Sequence, residues 1–351
     1  MERRNFLKNI GMGSMVLPFA PAFTNFEKNI FGIGKNAIRP KALKPGDTIG
    51  IVSPSSAIFE TEPYEIAVES MQAMGLKVKL GAYVKNRYGH LAGRDEERAQ
   101  EFNDMFRDPS VNAVIALRGG SGAARIVDKL DYDAIAANPK IFIGYSDITA
   151  LHMAIYEKTG LVTFHGPLAT STWNSFAVDH FKRLLFDKEA LFLQNPSEKG
   201  GLLTQVKNRT RTMTAGKASG QLLGGNLSVL TGIMGSEYFP SDWKNKILYL
   251  EDVGEAIYAV DRMMSQLQLG GVLDAISGFV FGKCTDCDPG RGYGSLTMEE
   301  VLDHYIKPLG IPAFSGTMIG HINDNFTIPN GVEAEIDADN GTLRLKTPAV
   351  T

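Results

Sequence analysis

Apolar β-type runs that empty into small-residue turns and then give way to helical patterns recur through the first half of this chain, and few architectures accommodate that alternation. Val114-Ile115-Ala116-Leu117 runs into Arg118-Gly119-Gly120-Ser121-Gly122, and Ile141-Phe142-Ile143 runs into Gly144-Tyr145-Ser146-Asp147-Ile148-Thr149. A strand that returns through a helix pairs in parallel with its neighbour, and right-handed crossovers put helices on both faces of an open sheet. The turns at the carboxyl ends of such strands share one rim, so a serine hydroxyl and several backbone N–H groups are expected together there. A serine hydrolase is assembled in this way.

The pattern predicts a first domain over 43–170. Its strand Thr48 to Val52 ends in Ser53-Pro54-Ser55-Ser56, and a helix from about Tyr64 to Met74 leads to a strand near Val78. Arg94 to Phe106 reads as a helix because Ala99, Phe102, Met105 and Phe106 fall on one face. Strands at Val111 to Leu117, Lys140 to Ile143 and Leu161 to Phe164 alternate with helices at Ala123 to Leu130 and Ile148 to Glu157. Between 171 and 219 the sequence is polar and poorly periodic, which reads as an interdomain connection plus entry strands. A second domain over 220–351 contains a short helix after Leu227, a strand at Ile247 to Leu250 and a helix from about Ala256 to Leu269. A strand at Phe279 to Phe281, a helix from Met298 to Tyr305 and a hairpin turning at Asp339-Asn340-Gly341 complete it.

With 351 residues and 44% apolar content the chain can bury a core in each domain. Its 36 basic and 39 acidic residues leave no electrostatic footprint for nucleic acid or an anionic membrane, so a small neutral or zwitterionic ligand is expected. Residues 1–42 read as export signal and linker. Arg3-Arg4 before Phe6-Leu7-Lys8, a short apolar stretch from Ile10 to Phe19 and Ala20-Pro21-Ala22 resemble a bacterial twin-arginine signal. That stretch is too short to span a bilayer comfortably; the signal reading implies a periplasmic protein without stable membrane insertion, and an uncleaved anchor or a frayed basic tail is the alternative. Cys284 and Cys287 have no histidine pair at metal spacing, and read as ordinary loop thiols or one local disulfide without a catalytic role.

Ser146 stands where a nucleophile elbow would place it, although Ile148 occupies the position of the second glycine in Gly-x-Ser-x-Gly. The same Ser-Asp pair before an apolar-periodic run also reads as a helix start. A nucleophilic serine needs a positioned base. Of six histidines, His90, His152, His180 and His304 have surface or structural contexts, while His165 in Phe164-His165-Gly166-Pro167 and His321 in Ile319-Gly320-His321-Ile322 both stay open. A third member should be a carboxylate; burial at a strand end favours Glu251, while Glu255 is explained by favourable charge at a helix N-terminus. A phosphate-binding reading of Arg118 to Arg125 is weaker, because the stretch lacks the lysine and following hydroxyl of a P-loop and does not fit Gly-x-Gly-x-x-Gly.

Ser53-Pro54-Ser55, Arg118-Gly119-Gly120-Ser121-Gly122, Gly144-Tyr145-Ser146-Asp147-Ile148-Thr149, Phe164-His165-Gly166-Pro167, Gly224-Gly225-Asn226-Leu227, Leu250-Glu251-Asp252-Val253-Gly254-Glu255 and Ile319-Gly320-His321 occur in this order. Together they resemble the L,D-carboxypeptidase family of serine peptidases, which includes muramoyl-tetrapeptide carboxypeptidases and microcin C immunity peptidases. The resemblance implies an α/β fold with a Rossmann-like parallel-sheet N-terminal domain, a mixed β/α swivelling-type C-terminal domain, and a homodimer. It also implies a triad of Ser146, Glu251 and His321 at the domain junction, against His165 and Glu255. The acyl-transfer scheme then expects the N–H groups of Gly120 and Asp147 to meet the oxyanion, and requires no cofactor or metal. Ser55 and Asn226 lie in loops expected to face the cleft as substrate contacts. The substrate implied is a murein tetrapeptide losing C-terminal D-alanine; a peptidyl nucleotide or other modified peptide is the alternative, and nonhydrolytic muropeptide binding a second one.

Overall fold

The computed structural model describes residues 37–288 and 294–351, so the expected export signal within residues 1–36 lies outside the described residues. Strands β1 (Thr48–Val52), β2 (Lys77–Leu80), β3 (Ala113–Ala116), β4 (Ile141–Gly144) and β5 (Thr163–His165) are parallel, in the order β5-β4-β3-β1-β2. β3 and β4 are buried along their whole length, as unbroken apolar runs must be when both faces of a sheet are covered. Helices Glu62–Ala73, Asp95–Arg107 and Thr149–Thr159 lie in the connections, close to their sequence-predicted limits. Ala123–Lys129, expected as an α-helix, is instead a 3₁₀ helix. Gly122 O accepts from Arg125 N three residues on and from Nη1 of the buried Arg98 at 2.9 Å, which binds the first turn into the tighter form.

The second sheet is built from β6 (Phe192–Gln194), β7 (Arg211–Thr214), β8 (Lys217–Asn226), β9 (Lys246–Val253), β10 (Gly278–Thr285) and β11 (Ala313–Ser315). After β12 (Ile328–Asn330) come its last two strands, β13 (Glu333–Asp337) and β14 (Thr342–Leu345). The order is β6-β14-β13-β8-β9-β10-β11-β7, with β8 to β11 parallel at the centre and antiparallel pairs on both flanks. β12 leaves this sheet and pairs antiparallel with β5, Ile328 opposite His165, so the C-terminal half supplies an edge strand to the N-terminal sheet. Pro329 is tolerated there because an edge strand need not donate on both sides.

The stretch 171–219 is more than a connection. It holds the helix Ser175–Leu185, capped by Asn174 and burying Ala177, Phe181, Leu184 and Leu185, and it contributes β6 and β7 to the edges of the second sheet. Alternate residues of the strands feed two apolar layers. Val114, Ala116, Leu223 and Leu248 share one, and Ile115, Ile143, Leu222 and Tyr249 the other. Both layers therefore run through both sheets.

Within the helix Thr149–Thr159, His152 is wholly buried beside the Phe142 ring, at 5.0 Å between centroids, and its Nε2–H donates to Gly144 O at 2.8 Å. Burial pushes its pKa down to about 4 and holds that of His165 well below 6.5. An imidazole depressed in the folded state takes up its proton on unfolding, so its contribution is complete above pH 6.5 and is lost as pH falls toward 4. For His152 alone this amounts to about 3 kcal/mol across the shift from 6.5 to about 4. Denaturant midpoints should fall between about pH 7.5 and about pH 5, and His152→Gln should flatten part of that fall. A slope unchanged in the variant would remove His152 from the account.

Candidate active site

β4 ends at Gly144, Tyr145 is still extended, and Ser146 turns the chain with φ 65° before a 3₁₀ turn over Ser146–Ile148 opens the helix Thr149–Thr159. A left-handed serine costs on the order of 1–3 kcal/mol and persists only where packing imposes it. Here the packing is visible. A Cβ on Gly119, at the end of neighbouring β3, would lie 2.9 Å from Ser146 Cβ and 3.1 Å from its Oγ. A Cβ on Gly144 would meet the Ile148 side chain at 3.1 Å and Ala116 Cβ at 3.2 Å. The elbow thus keeps Ile148 in place of a second glycine because Gly144 makes room for it.

The Asp147 carboxylate turns inward and accepts from Ser55 Oγ at 2.5 Å and from Ala123 N at 2.7 Å. Ser55 therefore does not face the cleft as expected: it is fully buried and ties the loop after β1 to the elbow. Its neighbour Ser56 accepts from Ser121 N at 3.0 Å, and Gly120, at φ 118°, would carry a Cβ only 2.3 Å from Ser56 Oγ. That residue must be glycine on both counts.

In the second sheet, Glu251 near the end of β9 is fully buried, and Oε2 accepts from His321 Nδ1 at 2.8 Å. Burial raises the Glu251 pKa, and the His321 hydrogen bond pulls against that rise. His321 is presented by a turn with Gly320 at φ 138°, where a Cβ would come within 3.0 Å of Glu251 Oε2. The turn is pinned by Asn325 Oδ1 on Gly320 N at 3.1 Å and by Thr285 Oγ1, which donates to His321 O at 3.0 Å. Cys284 and Cys287 are joined as a disulfide on either side of that threonine's strand end. The Tyr145 ring meets the His321 imidazole edge to face at 4.8 Å.

Asn226 likewise does not line the cleft. It is buried as the N-cap of the helix Leu227–Gly232, accepts from Val229 N at 3.1 Å and donates to Asp252 Oδ1 at 2.9 Å. Glu255 is half-buried just before the helix Ile257–Leu269, and the carboxylate that holds His321 is that of Glu251. His165 is fully buried at the end of β5, behind Tyr145 with ring centroids 6.0 Å apart.

Ser146, Gly120, Arg118 and Tyr145 from the first half, and Val253 and His321 from the second, line one cleft of about 700 Å³. Phe59, 65% exposed, stands on its wall. Sequence reasoning passed over Arg118 and Phe59 as cleft residues. The position of Arg118, directly before the Gly119-Gly120 turn at a strand end, was the available signal.

Residues 49–166 match the LD-carboxypeptidase N-terminal domain and residues 219–336 the LD-carboxypeptidase C-terminal domain. The chain belongs to the LD-carboxypeptidase family. It is 38% identical over 319 residues to the probable murein peptide carboxypeptidase of Bacillus subtilis (strain 168), spanning 91% of this chain and 97% of that protein. To the microcin C7 self-immunity protein MccF of Escherichia coli it is 34% identical over 327 residues, spanning 86% of this chain and 94% of MccF. A solved structure of MccF in complex with aspartyl sulfamoyl adenosine has TM-score 0.80 and 33% identity, covering 90% of this chain and 100% of the other. Membership in the LD-carboxypeptidase family makes this chain a peptidase, and its two family domains are the two halves that meet at the cleft.

Because Gly119 abuts Ser146, Gly119→Ala should displace the serine and lower kcat by about 10²-fold, as misplacements near 1 Å do. Comparing kcat of the two proteins against a common peptide substrate, with melting curves to verify folding, tests this. Undiminished turnover would show that the close packing does not control Ser146.

Proposed function

We propose that this chain is an exported serine L,D-carboxypeptidase that releases C-terminal D-alanine from a murein tetrapeptide, with Ser146 as nucleophile, His321 as general base and acid, and Glu251 orienting the imidazole. One observation carries the reading. His321 Nδ1 is held by buried Glu251 at 2.8 Å in one half, while the other half presents Ser146 in a left-handed elbow to the same cleft. With Nδ1 occupied, Nε2 is the nitrogen available for the Ser146 proton. As Oγ bonds to the scissile carbonyl carbon, that proton moves to Nε2 and Glu251 stabilises the imidazolium. The proton then passes to the leaving amine of the D-residue, and water attacks the acyl-enzyme by the same route to free the enzyme.

Backbone N–H groups of Gly120 and Asp147 are assigned to the oxyanion. Such a donor contributes about 2.7–4 kcal/mol to the transition state. Gly120 supports this role because it lines the cleft with no side chain of its own to cover its backbone. Arg118, anchored through Nη1 to Ala57 O at 3.2 Å, is the cation on the cleft wall suited to the substrate's terminal carboxylate. No step draws on a cofactor or metal. The twin-arginine pattern supports a periplasmic location, and the family resemblance supports a homodimer, which light scattering on the mature protein measures directly.

The MccF complex with aspartyl sulfamoyl adenosine favours a second reading, hydrolysis of a peptidyl nucleotide, and the exposed Phe59 ring offers a purine a stacking surface. Mass spectrometry of products from defined muropeptides and from a peptidyl adenylate separates the two. Binding of muropeptide without any product in the wild-type chain would instead make it a nonhydrolytic binding protein.

Ser146→Ala should reduce kcat by at least about 10³-fold with folding intact, and Glu251→Gln by about 10²–10⁴-fold, while Glu255→Gln stays within about threefold. The triad assignment is lost if the serine variant retains its rate, and the choice of acid is reversed if Glu255→Gln is the more damaging. Arg118→Gln should raise KM about tenfold or more for a substrate with a free terminal carboxylate, and change KM little for the corresponding amide. Equal effects on both substrates would place the carboxylate elsewhere.

A further inference from the structure

A second histidine faces the same carboxylate from behind. Glu251 offers two oxygens in a fully buried site; Oε2 accepts from His321, while Oε1 has no hydrogen-bond partner. His165, also fully buried, has no partner on either ring nitrogen, and its Nε2 lies 3.9 Å from that Oε1. Unpaired polar atoms this deep are uncommon in folded proteins, and two of them facing each other account for one another. We propose that His165 is a positioning residue for Glu251, its neutral Nε2–H directed at Oε1 so that the carboxylate is held from both sides. The proposal rests on the reading of Glu251 as the group that orients His321.

The surroundings decide the charge and tautomer of His165. Rings of Tyr145 and Tyr249 approach it at 6.0 and 5.6 Å, and the Tyr249 hydroxyl is spent on Asn330 Oδ1 at 3.0 Å. His152 and His321 both disfavour a positive charge on it, and burial disfavours it more strongly. A neutral imidazole carries one N–H, and the carboxylate on the Nε2 side draws the proton there. At 3.9 Å the contact is still electrostatic; about 1 Å of closure makes it a hydrogen bond, and catalytic contacts often tighten in this way when substrate binds.

Holding Oε1 does two things for the reaction. It fixes the plane of the carboxylate that His321 must match, and it favours the ionised form against the burial that opposes it. The other groups bearing on that ionisation are Asp252, whose charge disfavours it, and the Asn226 amide, which favours it. His165 itself is absent from the residues lining the cleft, so it acts through Glu251 and does not touch substrate.

The test uses the full chain, a defined murein tetrapeptide, and His165→Leu and His165→Gln, the latter carrying an amide N–H at roughly the reach of Nε2. His165→Leu should lower kcat about tenfold or more with KM within about twofold, and should move the acid limb of the kcat profile to higher pH because Glu251 then protonates more readily. His165→Gln should restore most of the rate and the original limb. Nitrogen-15 spectra of histidine-labelled Ser146→Ala protein should show His165 neutral and protonated on Nε2. A wild-type rate and pH profile in His165→Leu, or a proton on Nδ1, would overturn the proposal. The spectra do not depend on turnover, so they test His165 even if Ser146→Ala proves active and the triad reading fails; they also decide the matter if His165→Leu does not fold.

Discussion

Two apolar layers shared by both sheets are the constraint on which the rest of this molecule depends. Ser146 belongs to one sheet and the His321–Glu251 pair to the other, so their relation is only as fixed as the packing that joins the halves. Leu223 and Leu248 pack in the same layer as Val114 and Ala116, and β12 pairs with β5 at the far edge. Side-chain bonds add to this: Thr149 Oγ1 accepts from Asn226 N at 3.0 Å, and Tyr156 donates to Gln221 at 3.1 Å. The cleft is thus the open end of a continuous core.

Burial sorts three histidines into three kinds of work. His152 is neutral and fixes the end of β4 through Gly144 O, two residues before Ser146. His165 is neutral and faces the back of Glu251. His321 alone of the three reaches the cleft, and it is the one with a charged partner at hydrogen-bond distance. The burial of Glu251 is offset by the His321 hydrogen bond on Oε2, which is why the end of β9 has to be built together with the turn that carries His321.

Much of this was legible in the sequence because it rests on local pattern. The apolar runs of β1, β3 and β4 and the one-sided helix Asp95–Arg107 announce themselves by period, and the Asp339-Asn340-Gly341 turn by its chemistry. Ser55 and Asn226 were expected to face the cleft because a polar residue after a strand looks the same whether it faces solvent or satisfies a buried group. Both in fact serve neighbouring backbone or carboxylate partners. The helix Ser175–Leu185 did carry a signal, apolar residues at 177, 181, 184 and 185, within polar surroundings that masked it. β12 could not be read at all: three residues containing a proline have no strand period, and their partner β5 lies more than 160 residues away in sequence.

That late strand has a consequence for synthesis. His321 and β12 emerge within ten residues of each other. A nascent chain that has not reached Ile328 leaves β5 with an open edge, a template for pairing with other strands. The same incomplete chain has barely acquired its imidazole. The segment that closes the edge of the first sheet and the segment that sets an imidazole against Glu251 therefore arrive together.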